Sequence, residues 1–223
     1  LKTPITLIKG FIETLLDGAM REPEDAERFL RILAVQSNRL NKIVEDLLTL
    51  ARLEEKRQTE FLREESVREI LESALEVCQV RADTKSVRLE LECPLELLTT
   101  LDRSLIEQAV INLIDNAISY GPSDSTVSVR AVAEPDGVTI IVADQGPGIA
   151  AEHLSRIFER FYRVDKSRSR NQGGTGLGLA IVKHVATVHK GSIDVESDPE
   201  SGSRFSLHLP RVVEEFERSV TVP

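Results

Sequence analysis

The sequence predicts an α+β protein: an N-terminal antiparallel helical hairpin, followed by an α/β sandwich with a mixed sheet. Three observations carry this. Apolar residues recur at alternating spacings of three and four through the first fifty positions, helical and strand-like segments alternate from residue 66 onward, and the charged run Glu54-Glu55-Lys56-Arg57-Gln58 separates the two regimes. The expected division is a hairpin over 1–56, a linker over 57–65, the sandwich over 66–210 and an acidic tail over 211–223.

In the hairpin, Ile5, Ile8, Ile12, Leu15 and Ala19 form one seam, and Leu30, Leu33, Ser37, Leu40, Val44, Leu47 and Ala51 form another. A repeat of about 3.5 residues lays each seam along one side of its helix, as in bundles. Asp17-Gly18 and Arg21-Glu22-Pro23 mark the turn, with Pro23 in the first turn of the second helix. One hairpin cannot bury both seams. Two hairpins paired as a four-helix bundle can, so a homodimer is expected in preference to a hairpin packed on its own domain.

In the sandwich, Ser66 and Glu69 form a capping box that opens a helix to about residue 82. Strands are expected at 87–92 and 97–101, then a helix over 103–120 stopped by Gly121-Pro122. Two strands, 127–133 and 138–143, flank the turn Pro135-Asp136-Gly137. A helix from about 176 to 189 and strands at 192–196 and 203–209 complete the domain.

Composition narrows the function classes. The net charge of −9 argues against a general nucleic-acid binder. Cys78 and Cys93 have no Cys or His at ligand spacing, which argues against a zinc site and a disulfide framework and fits a reducing compartment. No apolar run is long enough to cross a bilayer. The chain opens at Leu1 directly into helical patterning, so it reads as a cytoplasmic piece of a longer protein, and any membrane anchor would lie in the missing part.

Three groups of residues carry chemistry. Asn112, Asn116 and Tyr120 follow one another four apart, along the edge of an apolar stripe of Ile106, Ala109, Val110, Leu113 and Ala117. Amide oxygens on one face suit a hard cation such as Mg²⁺ bridging substrate phosphates. Taken alone, helix-edge amides making local bonds are the simpler account. Asp144 ends an apolar strand and is followed by Gly146 and Gly148. A carboxylate there can accept from an exocyclic amine such as that of adenine, with a plain Asp-x-Gly turn as the competing reading. Third, Arg160, Arg163, Lys166, Arg168 and Arg170 crowd a loop that ends in Gly173-Gly174-Thr175-Gly176-Leu177-Gly178-Leu179 and opens a helix. Unpaired N–H groups at a glycine-rich helix start, with guanidinium groups nearby, suit phosphate, and the loop has the length and small residues of a mobile lid.

Two nucleotide motifs are rejected. Gly146–Ala151 satisfies a relaxed dinucleotide fingerprint, but that fold needs an acidic strand end about twenty residues on, where this chain has a polar loop at 163–168. No Gly-x-x-x-x-Gly-Lys-Ser/Thr occurs, so there is no P-loop.

In order and over nearly the whole chain, these blocks resemble the sensor histidine kinases of bacterial two-component systems. Asn112–Tyr120 is similar to the family's N box, Asp144–Gly148 to its first glycine box, Phe158-Glu-Arg-Phe161-Tyr162-Arg163 to its F box and Gly174–Leu179 to its second glycine box. Gly202-Ser-Arg-Phe205 resembles a final short motif, and Leu1-Lys2-Thr3-Pro4 the tail of the H box. The resemblance implies that Asn116, with Asn112, holds Mg²⁺, that Tyr120 lies along the adenine, and that Asp144 reads its amino group. It implies that Arg163 and the glycines at 174, 176 and 178 hold the ATP phosphates, with Gly146, Gly148, Arg160, Thr175, Leu177 and Leu179 in the same binding set. The implied reaction moves the γ-phosphoryl of ATP to a histidine and on to an aspartate of a response regulator, with the hairpin as dimerisation and phosphotransfer element.

The H-box alignment puts the accepting histidine two residues before Leu1, its Glu one before, and Thr3 where the family often keeps a polar residue for dephosphorylating the regulator. His153, His184, His189 and His208 lack that context and read as surface or packing residues. Ser119 stands where the family usually has Lys, and Gln145 where Asn is common. The nearest rival, an ATP hydrolase of the gyrase and heat-shock chaperone type, carries a Glu where Asn112 stands; an amide cannot take a proton from water. A non-enzymatic dimer scaffold would bind no Mg-ATP tightly.

Overall fold

The computed structural model describes residues 2–55, 62–164 and 174–211. The chain divides into two compact units, Leu1–Lys56 with Ala150–His184, and Arg57–Ile149 with Val185–Pro223.

The first unit begins with α1 (Lys2–Leu16), a 3-10 turn (Ala19–Arg21) and α2 (Pro23–Glu55). Gly18, at φ 134, allows the reversal, and Pro23 opens α2, where its missing N–H costs nothing. Phe11 and Phe29 face one another across the hairpin with ring centroids 5.5 Å apart. Within the chain the buried line on α2 is Ile43, Asp46, Leu50 and Leu53. It runs out of step with the seam expected from the repeat. Of that seam Leu15 is buried, but Ile5 (52%), Ile12 (43%), Leu30 (57%) and Val44 (44%) stay exposed. Hairpin and seam are both present, yet the seam does not face the chain's own core.

The second unit holds a five-stranded sheet in the order β2-β4-β5-β7-β6, from β2 (Arg88–Glu92), β4 (Thr126–Glu134), β5 (Gly137–Ala143), β6 (Ser192–Asp198) and β7 (Gly202–Pro210). β2 and β4 are parallel and the other pairs antiparallel, so the sheet is mixed, as expected. Val127, Val129, Val138, Ile140, Val142, Phe205 and Leu207 alternate along their strands onto a buried face. Two helices pack together and against these strands: α3 (Val67–Thr84) through Ile70, Leu71, Ala74 and Cys78, and α4 (Arg103–Tyr120) through Ile106, Val110, Leu113 and Ile114. Ser66 caps α3 by accepting from Glu69 N at 3.4 Å.

Two elements go beyond the sequence reading. β1 (Arg63–Ser66) forms in a charged stretch by pairing antiparallel with β3 (Leu98–Leu101), and α5 (Ala151–Leu154) is a single turn. The helix expected from residue 176 starts later, as α6 (Gly178–Val188), because Gly176 lies at φ 75. No helix among the described residues is long and apolar enough to cross a membrane.

Candidate nucleotide site

Helix α4 is the platform. Its N-cap Asp102 accepts from Leu105 N at 3.1 Å, and Asp102 N donates to His189 Nε2 at 3.0 Å. His189 Nδ1 lies 2.9 Å from Val185 O and so carries the proton, which fixes the neutral tautomer. Burial pushes the ring below its usual pKa, against the pull of the Val185 carbonyl and the Asp102 charge. The apolar stripe of α4 is buried, and the expected ligand residues lie along its edge. Asn112 is buried, Asn116 half-buried and Tyr120 exposed. Asn112 Nδ2 has no hydrogen-bond partner among the described residues. A buried amide left without a partner destabilises the fold, and its N and O ends are interchangeable, so this side chain suits a ligand or cation that completes it.

At the end of β5, Asp144 is fixed through its backbone, its N–H donating to Ser203 O at 2.9 Å. Its Oδ1 accepts from Gly146 N at 2.7 Å. Desolvation raises the carboxyl pKa, and the backbone hydrogen bonds of Gly146 and Ser203 pull it partly back. Gly146 is where Asp144 and α4 meet: a Cβ there would lie 2.7 Å from Asp144 Oδ1 and 3.3 Å from Tyr120 O. Gln145 turns aside, its Oε1 accepting from Thr126 N at 3.0 Å.

The β6–β7 hairpin buttresses this corner. Ile149 N donates to Ser197 Oγ at 2.8 Å, and Ser197 Oγ donates to Gly202 O at 2.8 Å. A Cβ on Gly148 (φ 71) would run into Asp198 O, and one on Gly202 (φ 83) into Asp144 O. The last short motif of the sequence therefore acts as backing for Asp144, a role its residue types alone do not announce.

The glycine-rich segment belongs to the first unit. Gly174, Thr175, Gly176 and Leu177 are coil, and Gly178 and Leu179 open α6. Thr175 Oγ1 donates to Asp46 Oδ2 of α2 at 2.7 Å and accepts from Leu177 N at 3.2 Å. Gly176 O accepts from Phe161 N at 2.8 Å, and Leu177 is fully buried. Arg163 is half-buried and Arg160 exposed. Lys166, Arg168, Arg170 and Gly173 lie outside the described residues, as does the Thr3 side chain. Asp46 escaped the sequence reading, although a carboxylate on a line with Ile43 and Leu50 is the signal that could have found it.

Three of the four histidines have structural partners. His153 Nδ1 meets Tyr162 OH at 2.8 Å, His208 Nδ1 meets Thr139 Oγ1 at 2.8 Å, and His189 joins α4 to the end of α6. His184 is half-buried.

The family described as histidine kinase-, DNA gyrase B- and HSP90-like ATPase matches residues 101–213, and the His Kinase A (phospho-acceptor) domain matches residues 1–56. The sensor-like histidine kinase SenX3 of Mycobacterium tuberculosis (strain ATCC 25618 / H37Rv) is 39% identical over 216 residues, covering 97% of this chain and 52% of the relative. This chain thus spans about half the length of SenX3. Among solved structures, the Acinetobacter baumannii histidine kinase AdeS superposes with a TM-score of 0.75 at 28% identity, covering 96% of this chain and 98% of that one. Full-length ShkA, solved in complex with AMPPNP, superposes with a TM-score of 0.68 at 25% identity, covering 85% of this chain and 40% of that one.

Proposed function

The chain belongs to the sensor histidine kinases of two-component systems, and from that premise we propose that it binds Mg-ATP at the α4–β5 corner and passes the γ-phosphoryl group to a histidine. From there the group moves to an aspartate of a response regulator. The observation that carries this reading is Asp144, a desolvated carboxylate held beside the end of α4 by backbone bonds alone. Desolvation with no countercharge among the described residues makes it an acceptor suited to a donor, and the exocyclic amine of adenine is one. The AMPPNP bound to ShkA supports the same ligand class.

In this reading Asp144 accepts from the adenine amine, Tyr120 lies along the base, and Gly146 and Gly148 let the ligand approach the backbone. Asn116 and Asn112 would hold Mg²⁺, which when bound neutralises phosphate charge. Arg160, Arg163 and the segment Gly174–Leu179 hold the phosphates through guanidinium groups and backbone N–H. The residue at 112 is an amide, so the chain offers no base there to activate water, and transfer goes to a nucleophile such as a neutral imidazole nitrogen, which attacks without first losing a proton to the site. An imidazole nitrogen of the acceptor bonds to the γ-phosphorus as the bond from that phosphorus to the leaving oxygen of ADP breaks. The acceptor is the histidine of the box whose tail is Leu1-Lys2-Thr3-Pro4, and Thr3 takes part in dephosphorylating the regulator. The exposed Ile5, Ile12, Leu30 and Val44 support pairing of two hairpins into a homodimer. We divide the chain accordingly into phosphotransfer hairpin (1–56), linker (57–65), ATP-binding domain (66–210) and tail (211–223). ATP as donor places the reaction in the cytoplasm, with any membrane anchor in another part of the protein.

The test has two arms. Calorimetry should detect binding of an ATP analogue with Mg²⁺, and a chain extended upstream by His-Glu should acquire an acid-labile, base-stable phosphoryl group from ATP. Nucleotide binding without phosphorylation of the extended chain would overturn the kinase reading.

A further inference from the structure

Helix α4 stops at the edge of the candidate site, and its stop lacks the usual closure. Gly121 follows it in an extended conformation (φ −61, ψ 158), with its N–H donating to Ala117 O. The next residue is Pro122, which has no N–H. The second bond with which a helix end is commonly closed is therefore unavailable, and the last carbonyls need a donor from elsewhere.

Lys85 is that donor. Its Nζ donates to Ile118 O at 2.6 Å, to Ser119 O at 2.8 Å and to Gly121 O at 2.6 Å. An ammonium has three N–H bonds, and all three go to this one helix end. Lys85 is itself anchored as the C-cap of α3, its backbone N–H donating to Ala82 O at 3.1 Å. Burial lowers the pKa of the ammonium, and a cation at a helix C-terminus is favoured by the helix dipole, which offsets that penalty. The residue bracketed by the three carbonyls is Tyr120, whose own carbonyl lies against Gly146 and so beside Asp144.

We propose that Lys85 is a positioning residue for nucleobase binding: it fixes the backbone on both sides of Tyr120, and with it the aim of that ring, without touching the nucleotide. This rests on the reading of Tyr120 and Asp144 as the base-binding pair.

The chain has two tyrosines and no tryptophan, so Tyr162→Phe leaves Tyr120 as its sole fluorophore. In that background Lys85→Met should lower the nucleotide-free anisotropy of Tyr120. It should weaken Mg-AMPPNP binding about tenfold while changing the affinity for Mg-tripolyphosphate, which has no base, by less than about twofold. Lys85→Arg, which keeps the charge and several donors, should restore both readouts to within about threefold of wild type. A folded Lys85→Met protein with unchanged anisotropy and unchanged AMPPNP affinity overturns the proposal. Equal loss of both ligands overturns it too, by showing general damage. If Lys85→Met does not fold, Lys85→Gln, which is neutral, shorter and has two N–H bonds and so cannot serve all three carbonyls, is judged by the same criteria. A wild-type chain that binds no AMPPNP sinks the Mg-ATP reading and this inference together, whereas wild-type binding that Lys85→Met leaves untouched sinks the inference alone.

Discussion

The two stretches assigned to the nucleotide are built by different means. The base side, α4 with the end of β5, stands on regular elements closed over a core, and its polar atoms are tied to backbone: Asp144 to Gly146 and Ser203, Asp102 to Leu105. The glycine-rich segment is coil before α6, tied by the Thr175–Asp46 side-chain pair and the Phe161–Gly176 backbone bond. Reading a base needs fixed positions for a few directional bonds, which only packed elements supply. Holding phosphates needs many N–H groups that can close around charge, and a glycine-rich coil offers that.

The sharpest way to break this contrast is to remove the fixed acceptor. Asp144→Ala and Asn116→Asp should each weaken Mg-nucleotide binding by roughly 100-fold or more, read by calorimetry, since each leaves a polar ligand group without its partner or adds a like charge. Retention in both would undo the site assignment.

A subtler change separates recognition from stability. The Asp144 pKa is raised in the folded state, so its contribution to stability is present below the unfolded value near 3.8 and is lost as pH rises through the folded one. At neutral pH the carboxylate is therefore a burden on the ligand-free fold. Asp144→Asn should raise Tm by a few degrees, on the order of 1 kcal/mol, while still losing nucleotide. A Tm that falls instead would mean that the backbone donors outweigh desolvation.

On the other side of the contrast, Thr175→Ala removes one hydrogen bond to a buried carboxylate. It should lower stability by about 1 kcal/mol in thermal melts. The smallest effect is a pH slope. The His189 pKa is lowered in the folded state, so the unfolded chain takes up a proton first. Stability should decline as pH falls below the unfolded value near 6.5, until the folded pKa is reached. His189→Gln should flatten that slope.

Legibility in the sequence followed locality. Helix α4 was readable because its apolar stripe recurs at helical spacing and Gly121-Pro122 ends it directly, both local signals. The sheet strands were readable because Val127–Ala131 and Val138–Val142 alternate. β1 was not, since Arg63-Glu64-Glu65 has no apolar rhythm and becomes a strand only through β3. The hairpin seam was seen, but not that the chain's own core would take the neighbouring line of Ile43, Leu50 and Leu53. Nothing near Lys85 in the sequence marks its role, because the carbonyls it meets lie more than thirty positions away.

Gly202 shows how a missing side chain in one strand can set the backbone of another. It is the first residue of β7, paired with Asp198 across the hairpin, and no part assigned to the nucleotide includes it. Yet any side chain placed on it would push against the Asp144 carbonyl oxygen. Variants there would strain the backbone and push on Asp144 together, so they should lower folding stability as well as disturb the carboxylate. The absence of a side chain at position 202 is thus a condition for the backbone that carries the Asp144 carboxylate to lie where it does.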